Sequence, residues 1–210
     1  MIKHVIFDFD GTIVDSKYLT VGIINGLAEK YNFQSIKKEE QEYFRSLSIV
    51  ERMKAIQLPV YLIPLVAAEL NLKYRQSVNS LQLVRGIDKV IGELKGRGLK
   101  LSIMSSNSFN NINALFKKEG ITAFDNIYTS KNIFGKDIGI NIFLNRNKLK
   151  NDEVAYIGDE CRDIVACKKN NVKVIAVAWG YDSTERLAKE KPDYIVRTPS
   201  EITKIINSLM

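Results

Sequence analysis

The stretch "HVIFDFDGT", residues 4–12, is an apolar run that ends on two aspartates one residue apart, then a glycine and a threonine. It is apolar enough for a strand buried on both faces, the pattern of a parallel sheet. In extended backbone, residues two apart point the same way, so the carboxylates of Asp8 and Asp10 can face one pocket. Ionised carboxylates repel, so a cation, a proton or exposure in a turn must offset the pairing. "DG" after a strand is by itself a common tight-turn signal, but the residues after Gly11 read as helical rather than as a partner strand.

Moving outward, no strand pattern occurs between Asp15 and about Val84. "SKYLTVGIINGLAEKY" has helical spacing in Leu19, Ile23, Ile24, Leu27 and Tyr31, with Ser16 as the expected N-cap. "KEEQEYFRSLSIVERMKAI" and "PLVAAELNLKYRQSVNSL" also read as helices, separated by "QLPVYLIP" with its two prolines. After Arg85 and Gly86 the texture changes to alternation. Strands are expected at "KLSIMSS", "FDNIYTS", "EVAYIGD", "VKVIAVAW" and "DYIVR", with helices between them. The last helix should start with Thr198 as N-cap, Pro199 in the first position and Glu201 completing a capping box. Such alternation spells an α/β fold, a doubly wound parallel sheet (Rossmann-like core) with an inserted all-helical cap. The expected core is 1–14 and 85–210, and the expected cap is 15–84.

Composition sets the frame. Of 210 residues, 45% are hydrophobic and 26% charged, ordinary for a globular protein large enough to bury a core without staples. Cys161 and Cys167 are too few for a disulfide framework. The N-terminal run meets Asp8 too early for a signal peptide, and no apolar stretch reaches membrane-spanning length. A cytoplasmic location follows as the expectation. The net charge of +7 is spread over lysines that sit beside acids or in helical patterns, with no dense basic run. This reads as a solvated surface, so neither nucleic acid nor membrane is an expected partner, while a small anionic substrate is compatible.

In a sheet of this kind ligands sit beyond the carboxyl ends of the strands. The first strand delivers Asp8 and Asp10 there. The second ends in "MSSNS", offering Ser105, Ser106 and Asn107, although serines before a helix are also ordinary N-caps. The next connection offers Lys131 and Lys136, and the strand after it ends in "IGDECRD", with Asp159 and Asp163. Four segments thus bring acids, hydroxyls and a lysine to one edge.

"DFDGT", "IMSSN", a loop lysine and "GDECRD" resemble the four motifs of the haloacid dehalogenase-like hydrolase superfamily, essentially end to end. The inserted helices resemble the cap of its phosphoglycolate phosphatase-like and beta-phosphoglucomutase-like branch, and "FGK" and "AWGYDSTERL" favour the phosphatase side. The resemblance implies a phosphatase acting on a small phosphorylated metabolite. Asp8 would be the nucleophile, and Asp10 the general acid and then general base. Mg²⁺ would be held by Asp8, the backbone carbonyl of Asp10 and Asp159, with Asp163 orienting a water or the lysine; Glu160 ranks behind them as a ligand. Ser105, with Gly11, Thr12, Ser106 and Asn107, would hold phosphoryl oxygens, and Lys136 is preferred over Lys131 as the lysine. Arg45 of the cap would meet the leaving group. A phosphosugar mutase and a non-catalytic regulatory protein are the alternatives, and the assembly would be a monomer or homodimer. His4, Cys161, Cys167 and Trp179 read as packing residues, and Asp182 as a helix cap.

Overall fold

The computed structural model describes residues 1–129 and 135–210. Six strands, β1 (His4–Phe7), β2 (Lys100–Ser105), β3 (Asn126–Thr129), β4 (Val154–Gly158), β5 (Lys173–Val177) and β6 (Tyr194–Val196), form one sheet. Every pairing is parallel and the order is β3-β2-β1-β4-β5-β6. The order reverses between β1 and β4, and such a switch point is where a parallel sheet opens a crevice at its carboxyl edge. Phe7 pairs with Ile157 in register, so Asp8 emerges beside Gly158 and Asp159.

Both sheet faces are covered, which explains the uninterrupted apolar run in β1. Val5, Phe7, Leu101, Ile103 and Ile157 face helices α5 (Ile87–Gly96), α6 (Phe109–Glu119) and α10 (Pro199–Leu209). Ile6, Tyr156, Val174 and Ala176 face α7 (Lys136–Asn147) and α8 (Cys161–Lys169), with α9 (Thr184–Lys189) at the edge of that layer. Each such side chain contributes about 1.5–3 kcal/mol by leaving water. His4 is part of this packing. Its Nε2 lies 2.9 Å from Ser102 Oγ and its ring meets Phe143 edge-on, while burial lowers its pKa to about 4.

Between β1 and α5 lies the helical block: α1 (Lys17–Tyr31), α2 (Gln41–Arg45), α3 (Ile49–Ala55) and α4 (Ile63–Ser77). Its two connections to the sheet run side by side, with Asp15 N–H donating to Gln82 O at 3.1 Å and Val84 N–H to Ile13 O at 2.8 Å. Among the described residues, no single helix is long and apolar enough to cross a membrane.

Three local expectations need correction. The helix expected through "KEEQEYFRSLSIVERMKAI" is broken, because Ser48 adopts extended backbone and its Oγ accepts from Glu51 N–H at 3.3 Å, starting α3 afresh. Ser16 does not cap α1; its hydroxyl lies 3.0 Å from that of Tyr181 instead. Thr198 precedes Pro199 as expected, yet its hydroxyl donates to Glu201 Oε1 at 2.7 Å rather than accepting a backbone N–H.

Candidate active site

Strand β1 stops at Phe7, and Asp8 is the first residue beyond it. Asp8 N–H donates to Ile157 O at 2.8 Å, continuing the pairing with β4 and fixing the side chain over the switch point. One carboxylate oxygen accepts from Phe9 N–H and the other from Lys136 Nζ, each at 2.8 Å. Lys136 opens α7 and is buried, its ammonium over the Tyr156 ring and also donating to Asp163 Oδ1. Lys136 is thus placed against Asp8; the other candidate, Lys131, lies outside the described residues.

Asp10 points away from Asp8's partners, toward the helical block. Tyr74 of α4 donates its hydroxyl to one oxygen, and Asn107 Nδ2 donates to the other at 2.8 Å. Burial and the neighbouring Asp10 charge push the Tyr74 pKa up, so the phenol stays protonated and acts as donor. Tyr74 was not singled out by sequence reasoning, since a tyrosine at helical spacing looks like any core aromatic.

The turn after Asp10 needs glycine. Gly11 has φ +77°, and a Cβ there would stand 2.2 Å from Asp159 Oδ2. Thr12 is buried and donates from Oγ1 to Asp159 Oδ1 at 2.9 Å, while Tyr181 N–H donates to Asp159 Oδ2 at 2.7 Å. Ser105 is buried at the end of β2, with Asn107 N–H donating to its Oγ at 3.0 Å. Ser106 and Asn107 line the cavity next to Asp10, and Ser108 is the N-cap of α6.

The buried carboxylates meet at this edge. Oxygens of Asp8, Glu160 and Asp163 lie within 4.8 Å of one another, while Asp159, close enough to feel the Asp8 charge, accepts from Thr12 and Tyr181. The Cβ-free faces of Gly11 and Gly180 leave room for the Asp159 carboxylate, with the Tyr181 ring also against Gly11. Glu160, ranked behind Asp159 from the sequence, is buried and paired with Arg162. Asp163 accepts from Lys136 and from Glu160 N–H, at 3.2 Å for the latter.

Burial dominates the electrostatics. It pushes the Asp8 pKa up to about 7 despite Lys136, and it raises Glu160 and Asp159, the latter further through the Glu160 and Asp8 charges. Burial alone would lower Lys136, but Asp163 and Asp8 outweigh it and hold the ammonium charged. Among the described residues, four buried acids, Asp8, Asp159, Glu160 and Asp163, face Lys136 and Arg162 as close cations. The formal deficit of two charges and the all-oxygen donor set suit a hard divalent cation such as Mg²⁺.

Arg45 lines the cavity, but its guanidinium is used elsewhere than expected. It donates to Gly180 O at 3.1 Å and Ala178 O at 2.7 Å, and pairs with Glu42. Asp182 does not cap α9, whose N-cap is Ser183, but it serves the first N–H of α8. Its carboxylate accepts from Cys161 N–H at 2.7 Å and from Arg52 at 2.6 Å, tying the helical block to the sheet.

A family model of haloacid dehalogenase-like hydrolases matches residues 5–177, a span that includes Asp8, Asp10, Ser105, Lys136, Asp159 and Asp163. The chain belongs to that family. Among its curated relatives, the phosphoglycolate phosphatase of Synechococcus elongatus is 28% identical, with all of this chain and 99% of the relative covered. Pyrophosphatase PpaX of Bacillus velezensis is 24% identical over 97% of this chain and 96% of its own. A haloacid dehalogenase-like family hydrolase from Streptococcus pneumoniae superposes with a TM-score of 0.83 at 21% identity, covering 98% of each chain. CbbY from Rhodobacter sphaeroides, solved in complex with phosphate, gives 0.75 at 19% identity, covering 96% of each. At these identities the two structures share the fold.

Proposed function

We propose that this family member is a Mg²⁺-dependent phosphatase that hydrolyses an organic phosphomonoester through an aspartyl-phosphate on Asp8. The observation that carries the reading is the buried Lys136 ammonium bridging Asp8 and Asp163 at the sheet's switch point, with Asp10 two residues away. The relatives named phosphoglycolate phosphatase and pyrophosphatase point to the same phosphoryl chemistry.

Phosphoryl transfer is chiefly positioning and charge neutralisation around an in-line displacement. Lys136 keeps Asp8 oriented and ionisable despite its burial. A carboxylate oxygen of Asp8 bonds to phosphorus as the bond to the leaving oxygen breaks, and Asp10 gives that oxygen its proton. Water then attacks the phosphorus of the aspartyl-phosphate, Asp10 takes its proton, and the Asp8–phosphorus bond breaks to release phosphate. Ser105, Ser106 and Asn107, ahead of α6, would hold phosphoryl oxygens with the aid of that helix's positive end. Mg²⁺ would be held by Asp8, the backbone carbonyl of Asp10 and Asp159, with Glu160 and Asp163 beside them, and would offset the charge on the phosphoryl oxygens.

The test is phosphate release from p-nitrophenyl phosphate. Turnover should need Mg²⁺, stop with EDTA and be absent in Asp8→Asn. An Asp8→Asn protein that still releases phosphate at the parent rate would remove the basis for the mechanism.

A further inference from the structure

We infer that the phosphoester accepted here carries a bulky apolar leaving group, an inference that rests on the phosphatase reading above. Asp10, Ser106 and Asn107 stand in the wall of a cavity of about 1170 Å³ that runs on into the helical block. That exceeds the roughly 300–1,000 Å³ typical of small-molecule pockets. Its wall within the block is mostly aliphatic and aromatic: Val21 and Ile24 of α1, Phe44 of α2, Ile49 and Met53 of α3, Leu70 of α4. These six side chains are only partly buried, whereas Ile23 and Leu27 on the neighbouring face of α1 are buried in the protein's own core. The block therefore presents an apolar interior that its own residues do not fill.

Most of the cations in the wall already have protein partners. Lys17, Arg45 and Arg52 donate to backbone carbonyls of Trp179, Gly180 and Tyr181 respectively, Arg162 is paired with Glu160, and Arg75 is exposed. A leaving group as small and charged as glycolate, or the second phosphate of pyrophosphate, would leave most of this wall facing water. Asp10 marks where the leaving oxygen sits, so the chain attached to that oxygen extends along the apolar wall. Its burial supplies the binding energy that a small polar group could not.

The experiment measures kcat/KM with Mg²⁺ for n-alkyl phosphates from ethyl to octyl, alongside 2-phosphoglycolate and inorganic pyrophosphate. Efficiency should climb about three- to fourfold per added methylene, the value of one buried CH₂. Octyl phosphate should surpass both polar substrates. A flat or falling series with 2-phosphoglycolate or pyrophosphate fastest overturns the inference while leaving the phosphatase reading intact. Turnover of no substrate overturns both. Ala67 of α4 also lines the cavity. Ala67→Trp should lower the octyl-to-ethyl efficiency ratio by about tenfold, roughly two methylenes' worth of burial, and the milder Ala67→Leu by less. An unchanged ratio in either variant, once its circular dichroism shows it folded, overturns the assignment.

Discussion

Removing the Asp8 carboxylate, the proposed nucleophile, should make the metal-free protein more stable. Asp8 is buried, and its pKa stands at about 7 against an ordinary 3.8, burial being the main cause. Between those pH values the folded chain holds a proton that the unfolded chain has released, so stability falls as pH rises, by about 1.4 kcal/mol per unit. By pH 8 the ionised carboxylate costs the folded state roughly 4 kcal/mol, and at pH 5 somewhat under 2. Asp8→Asn removes the charge, but its amide nitrogen must replace an oxygen that accepts from Phe9 N–H or Lys136 Nζ. Lys136 keeps Asp163 as a partner, so about half of the gain should survive that mismatch, some 2 kcal/mol at pH 8. For a chain of this size that raises Tm by about 4–8 °C. At pH 5 the gain should nearly vanish. His4, whose pKa is lowered to about 4, destabilises the fold as pH drops from 6.5 toward 4, but it does so equally in parent and variant and cancels in the difference. The assay is thermal unfolding in EDTA at pH 5 and pH 8, repeated with Mg²⁺, which should raise the parent's Tm more than the variant's. An Asp8→Asn protein melting at or below the parent at pH 8 without metal would refute the electrostatic account of the site.

Tyr74→Phe deletes the donor to Asp10, a bond to a carboxylate worth about 1.5–3 kcal/mol, and should lower kcat by roughly 10- to 100-fold with KM little changed; parent-level turnover would show that the tyrosine does not position the acid. Gly11→Ala places a methyl 2.2 Å from Asp159 Oδ2 at φ +77°. Beyond about 1–2 kcal/mol of left-handed strain it must displace Asp159 or Tyr181, so a folded variant with normal turnover would contradict the packing described above. Arg52→Ala breaks the 2.6 Å pair with Asp182 and the bond to Tyr181 O. Since Asp182 keeps Cys161 N–H, the loss should be about 1–2 kcal/mol, with faster proteolysis within 40–60; unchanged cleavage would mean that this pair does not hold the block.

The alternation of short apolar runs with helical patterns made the sheet readable, because the central strands β1, β4 and β5 are buried on both faces. The four strand ends followed from topology alone, and with them Asp8, Asp10, Ser105 and Asp163. Lys136 was reachable by counting along helix, connection and strand. What stayed illegible depends on contacts distant in sequence. Nothing local distinguishes Tyr74 from a core aromatic or tells that Arg45 will spend its guanidinium on carbonyls of residues 178–182. Asp159 sits against two glycines, at positions 11 and 180, while Glu160 lies beside Asp8 and Asp163, a relation no spacing rule carries. The break at Ser48 was signalled by Ser48 and Glu51 in capping-box spacing, but the apolar periodicity running through it masked the signal.

Residues 178–183 do two jobs, and this ties the acids to the helical block. Tyr181 N–H and Gly180 hold the Asp159 carboxylate, while the carbonyls of Ala178, Gly180 and Tyr181 receive Arg45 and Arg52 from the block. The Tyr181 hydroxyl meets Ser16 and Thr20 at the root of α1. Tyr74 reaches Asp10 from α4 on the other side. Any displacement of the block large enough to admit a substrate must break one or both sets of bonds. Breaking the first frees the segment that confines Asp159; breaking the second leaves Asp10, among the described residues, with Asn107 as its side-chain donor. The paired connections at 13–15 and 82–84 are independent of both sets and can persist through such a movement. The orientation of Asp10 and the placement of the block are therefore one structural variable, set by the hydroxyl of Tyr74.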